Sequence, residues 1–174
     1  MTEESYSLNT ILATLTKVKN GKAKKRVIYD QTPVAGIGSK WIIAFFISLP
    51  ILLYVGIFNP AVFAMLGIAQ AIIFYVVFLS MVMIMIIAFT FINNNKVIRQ
   101  VKPSWEDYFP GVELTDILSS GTTPYSDFLK HYNVALENGL EGDDLYAALQ
   151  KSVAQMKEEN ADLLEAINST RNNR

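Results

Sequence analysis

His131 is the only histidine in the chain, and it follows Asp127 by four residues. On a helix that spacing puts imidazole and carboxylate on one face, the minimum for an acid–base pair or for two ligands of a metal. Zinc is held by three or four protein donors, and the sequence near this pair supplies no third. Asp127 then reads as a helix-start residue favoured by the positive end of the dipole, and His131 as a surface residue. The carboxylate pairs Glu106-Asp107, Asp143-Asp144 and Glu158-Glu159 read as solvated helix faces. With no cysteine, disulfides, thiolate metal sites and cysteine nucleophiles are excluded.

Other apparent motifs dissolve on spacing. The stretch AGIGSK at 35–40 has Gly-Ser-Lys where a phosphate loop needs Gly-Lys-Ser/Thr before a helix. Met81, Met83 and Met85 spread around a helix at two-residue spacing, with no His or Cys beside them, and so read as lipid-facing or packing residues. Asn168-Ser169-Thr170 matches a glycosylation sequon, which a cytoplasmic tail would not present to the enzyme. No Ser/His/Asp set is present. The expectation is a protein that is not an enzyme, with no catalytic residue, no cofactor and no metal.

Charge supplies the chemistry that remains. Residues 1–40 carry seven basic side chains against three acidic ones, and six of the seven are Lys17, Lys19, Lys22, Lys24, Lys25 and Arg26. Lys96, Arg99 and Lys102 form a second basic group, whereas residues 103–174 hold thirteen acids against five bases. Just before the first cluster, Leu8, Ile11, Leu12, Leu15 and Val18 recur at helical spacing, and Asn20-Gly21 is a helix stop. This predicts an amphipathic helix over about residues 5–19. Two readings follow: the helix lies on anionic lipid beside its basic run, or its stripe packs on the protein while the charges set topology. Nucleic acid is not an expected partner, because aromatic residues are not interleaved with the charges.

What positions these groups is an apolar stretch. Between Lys40 and Lys96 fifty-five residues pass without a charge, enough for two crossings of a hydrocarbon core about 30 Å thick. Asn59-Pro60 is the strong turn signal, with Pro60 suited to a first helical turn, so the first span falls at about 40–58 and the second within 61–92. Basic flanks on both sides place both termini in the cytoplasm. Trp41, and Trp105 with Tyr108 and Phe109, are candidate interfacial anchors. Pro50 beside Ser48 predicts a kink in the first span. The second is too long: 32 residues would measure about 48 Å. It tilts or extends, it never crosses fully, or, the reading preferred, it begins near Gln70 with 61–69 packed at the outer interface. Gly67 and Ala71, with Ala64, form a small-residue track suited to helix packing, and Gln70 would be costly facing lipid.

The remainder reads as helical. Pro103 and Pro110 interrupt it, with short turns at 104–109 and 113–119. Thr123-Pro124 then starts a helix that stops at Asn138-Gly139. A longer helix is expected over about 143–169. In it Tyr146, Leu149, Val153, Met156, Asn160, Leu163 and Ile167 alternate at three and four residues, a heptad seam with Asn160 at an a position. The seam serves either self-association or an antiparallel pair with helix 124–138 of the same chain.

The expected fold is therefore an all-α membrane protein: a two-span transmembrane helical hairpin with an N-terminal amphipathic helix and a C-terminal helical cytoplasmic domain. Its parts are an arm at 1–39, the hairpin at 40–95 and an acidic domain at 96–174. The expected role is a non-enzymatic scaffold subunit of a larger bacterial inner-membrane complex, such as a conjugation or secretion apparatus. Expected partners are membrane lipid, other integral membrane proteins and, where the seam self-associates, further copies of itself. The alternative is a membrane-active phage protein, a holin or exclusion protein, or a small oligomeric channel. The pattern resembles two-span holins in having both ends cytoplasmic, but seventy-odd residues after the spans is long for one.

Overall fold

The computed structural model describes residues 5–172. The chain is mostly helical, with two helices long and apolar enough to cross a membrane. It forms two compact units: one from residues 1–26 together with 98–174, the other from residues 27–97.

The first unit begins with helix α1, Leu8–Leu15, capped by Ser7, whose Oγ accepts from the Thr10 N–H at 3.2 Å. The apolar stripe is buried: Ile11 is 0% exposed, and Leu8, Leu12 and Leu15 are nearly as enclosed. The predicted helix over 5–19 is thus cut short. From Thr16 the backbone is extended, and strands β1 (Thr16–Lys19) and β2 (Lys22–Lys25) form an antiparallel ribbon. Asn20-Gly21 is its turn rather than a helix stop. Both residues have positive φ, 54° and 74°, as in a type I′ hairpin turn, whose twist matches that of the flanking strands.

The core of this unit forms around Trp105 and Phe109 near the end of helix α3 (Pro60–Tyr108). Their ring centroids lie 4.4 Å apart, and Phe128 packs edge-on to both. Trp105 donates Nε1–H to the Val112 carbonyl at 2.8 Å. These two rings are core residues and not interfacial anchors. Pro103 lies inside α3 rather than ending it, with Val101 and Trp105 buried on either side.

Helix α4, Leu114–Leu118, follows. Thr123 caps a turn over residues 124–127, accepting from the Tyr125 N–H at 3.3 Å, so helix α5 starts four residues later than expected, at Phe128–Glu137. Gly139 (φ 68°) follows its end, and the N–H groups of Gly139 and Leu140 close back onto Leu136 and Ala135. Helix α6 (Gly142–Glu159) packs against α5. Asn160 then breaks the expected long helix (φ −116°, ψ 31°), and α7 runs over Ala161–Asn172.

The second unit holds α2 (Ser39–Ile57) and the apolar part of α3. Phe46 meets Phe89, and both Tyr54 and Phe58 meet Tyr75, so the two helices run antiparallel. Asn59 makes the turn, its Oδ1 accepting from the Ala61 N–H at 3.0 Å, and Pro60 opens α3. At Gly67 the backbone leaves helical geometry (φ 75°, ψ 167°), a region essentially restricted to glycine. The surplus length of the second apolar stretch is therefore set off as residues 60–66, and a fresh helix starts beyond Gly67.

Residues 27–38 are pinned to α3 within this unit. Asn94 grips the backbone at two points, accepting from the Tyr29 N–H and donating to the Val27 carbonyl at 2.9 and 2.8 Å. Buried Asn93 donates to the Tyr29 carbonyl and accepts from Gln31 Nε2. The glycines of AGIGSK have a packing reason: a methyl on Gly36 would stand 2.4 Å from the Gln31 side chain, and one on Gly38 2.9 Å from Thr32 Oγ1.

Candidate functional site

The β1–β2 ribbon gathers the basic cluster into one geometry. Lys17 faces Lys24 and Lys19 faces Lys22 across the strands. Directly opposed residues share a face, and so do alternate residues along a strand. Lys17, Lys19, Lys22 and Lys24 therefore stand on one face of the ribbon, and all four are exposed.

The opposite face packs at part of its length, with Val18 left exposed. Thr16 and Ala23 are buried. The Asn133 amide clamps Ala23, its Oδ1 accepting from the Ala23 N–H at 2.6 Å and its Nδ2 donating to the Ala23 carbonyl at 3.2 Å. Lys25 and Arg26 turn toward their own unit, where Lys25 Nζ donates to the Leu118 carbonyl and Arg26 Nε to the Thr16 carbonyl. Four of the six clustered charges are thus presented outward and two are engaged internally. The sequence does carry a signal for this ribbon, the alternation KVK-NG-KAK, whose period of two overrides the weaker helical period at Val18.

Behind the ribbon the electrostatics are set by burial. Desolvation raises the Tyr132 phenol above its ordinary value, partly offset by a hydrogen bond with Thr16. Tyr125 is raised by burial and further by the Asp116 carboxylate.

In the second unit, Ala71 is fully buried, Gly67 is half-buried and Gln70 is exposed. The break at Gly67 removes it from helical register with Ala71, so the expected track is not one continuous stripe. Gln70 occupies the third position of the helix that starts after Gly67, and a methyl on Gly67 would stand 3.2 Å from its Oε1. An apolar cavity of about 440 Å³ lies beside Pro50, between Phe46 and Ile47 of α2 and Leu79, Val82 and Ile86 of α3.

Of the two expected uses of the heptad seam, the structure contains the antiparallel pair within the chain. Leu149 is 0% exposed, and Val153 and Met156 are buried with it as α6 packs on α5. Asn160 is a cap and not a register residue: its Nδ2 donates to the Met156 carbonyl at 2.9 Å and to the Pro124 carbonyl at 3.2 Å. Tyr146 and Asn160 are half-exposed, as are Leu163 and Ile167 on α7. Asp127 sits at the start of α5, 3.9 Å from Lys130, and His131 is half-exposed on the next turn. Among the described residues no group of three His, Cys, Asp or Glu side chains comes together.

In comparisons with protein-family models, curated proteins and solved structures, nothing matches this chain.

Proposed function

We propose that this chain is a non-enzymatic, membrane-anchored scaffold subunit of a larger membrane complex, of the kind found in conjugation or secretion machines. The observation that carries this reading is the contrast between its two units. In the most apolar window of α2, and again of α3, only 6% is buried, while the first unit encloses its own aromatic core. So much uncovered apolar surface is stable only in hydrocarbon or against partner helices.

In this reading α2 and α3 cross the bilayer as a hairpin, both termini lie in the cytoplasm, and the membrane is the bacterial inner one. Residues 41–58 span about 27 Å and residues 68–92 about 37 Å, so the break at Gly67 brings the second crossing near the thickness of the core. The groove beside Pro50 gives a partner helix a place to insert an apolar side chain.

The test uses the absence of native cysteine. Single thiols introduced by Ala61→Cys and Ser119→Cys should label from opposite sides of sealed membranes, and alkaline carbonate should not extract the chain. Crosslinking in native membranes with mass spectrometry should then capture a recurring set of foreign membrane proteins. Capture of further copies alone, together with rapid depolarisation on expression, would replace the scaffold with a membrane-active protein.

A further inference from the structure

The lysine face of the ribbon is electrostatically unfavourable by itself. Side chains directly opposed across an antiparallel pair have Cβ atoms about 4.5–5.5 Å apart, and like charges there repel. Two such pairs stand side by side, Lys17 with Lys24 and Lys19 with Lys22. Among the described residues no carboxylate pairs with any of the four. The reverse face is held by Asn133 and a buried Ala23, so the lysines cannot escape by a register slip without exposing that contact.

We propose that this four-lysine face is a docking site for the phosphate headgroups of an anionic lipid surface. The inference rests on the membrane-anchored reading above. Chain length favours this occupant. Strand β2 ends at Lys25 and α2 begins at Ser39, so residues 26–38 can reach at most about 45 Å. The ribbon is held at high effective concentration beside any bilayer that α2 enters. A basic side chain near an anionic leaflet gains roughly fivefold in affinity, so four acting together gain roughly a hundredfold or more. The ribbon has no aromatic side chain on which nucleic-acid bases would stack. The strand register set at the Asn20-Gly21 turn holds the four lysine positions on one face.

The full-length chain is reconstituted in nanodiscs of phosphatidylcholine alone, or of phosphatidylcholine mixed with phosphatidylglycerol. Acetylation of each lysine is followed by mass spectrometry, with Lys151 and Lys157 as internal references. Lys17, Lys19, Lys22 and Lys24 should react severalfold more slowly in the anionic discs, and high salt should remove the difference. K17Q/K24Q should abolish protection of Lys19 and Lys22, whereas K17R/K24R should keep it. In a Trp41→Phe background, unchanged Trp105 fluorescence confirms that each variant is folded.

Equal rates in the two discs would overturn the proposal, as would equal slowing of Lys151 and Lys157. Protection by single-stranded RNA in the neutral discs, with none from phosphatidylglycerol, would assign the face to nucleic acid instead. Failure of the chain to enter discs at all would refute the membrane-anchored reading rather than the site.

Discussion

Replacing Leu12 by Ala tests whether the N-terminal segment is part of a protein core. Leu12 is 2% exposed and its neighbour Ile11 is 0% exposed. Truncating such a leucine costs about 2–5 kcal/mol through lost transfer energy and the cavity left behind. A unit of about a hundred residues has a total stability of only about 5–15 kcal/mol, so the loss is a large fraction of the whole. With an m-value of about 2 kcal/mol per M urea, the midpoint should fall by about 1–2.5 M.

The chain supplies its own reporter. Of its two tryptophans, Trp41 is 77% exposed and Trp105 only 1%. In a Trp41→Phe background, Trp105 emission reports the first unit alone as urea is raised. If α1 instead lay on lipid, Leu12→Ala would weaken membrane contact and leave the Trp105 midpoint unchanged. A shift below about 0.3 M, equivalent to less than 1 kcal/mol at that slope, would refute the packing argument.

Three further outcomes are expected. Gly67→Ala places a side chain at φ 75°, ψ 167°, so the thermal midpoint of the reconstituted chain should drop by an amount matching about 1–3 kcal/mol; an unchanged midpoint would mean that the helix does not break there. Asn160→Ala should cost about 1 kcal/mol in the Trp105 urea assay through two lost amide contacts, with the oligomeric state seen by light scattering unaltered; dissociation into smaller species would restore Asn160 as a register residue. Tyr125 and Tyr132 have raised phenol values when folded, so their contribution is fully present below the unfolded value of about 10 and is lost as pH rises through the folded values. Alkaline titration should therefore destabilise the first unit, and Tyr125→Phe with Tyr132→Phe should flatten that loss; an unaltered pH profile would be the contrary result.

The two candidate spans, the turn at Asn59-Pro60 and the stop at Asn138-Gly139 were legible because each depends on local chemistry: long uncharged runs, a proline at a first helical turn, a glycine with positive φ. The surplus near Gly67 was legible as excess length, although only the backbone reveals the glycine as its break. The errors share another cause. Leu8, Ile11, Leu12 and Leu15 announced an amphipathic face but not its burial in a protein unit, to which the segment is tied by the Tyr6 N–H donating to Ser104 Oγ, 98 residues further along. Trp105 and Phe109 are likewise enclosed by Phe128, whereas the packing of Leu149, Val153 and Met156 against α5 is one of the two uses that the spacing of the seam allowed.

Asn20-Gly21 was a different failure, since its correct meaning was local and competing. A helical stripe ran up to Val18, a strand alternation began at Thr16, and the same dipeptide ends one element and turns the other. The deciding signal is that lysine falls on every second residue on both sides of the turn. A helix would have scattered those charges around its circumference, where solvent could screen them separately. The ribbon sums them on one face, at a cost that the fold tolerates because Ala23 and Asn133 hold the other. Opposed lysines with no paired carboxylate among the described residues are the reason for proposing an anionic surface as their partner.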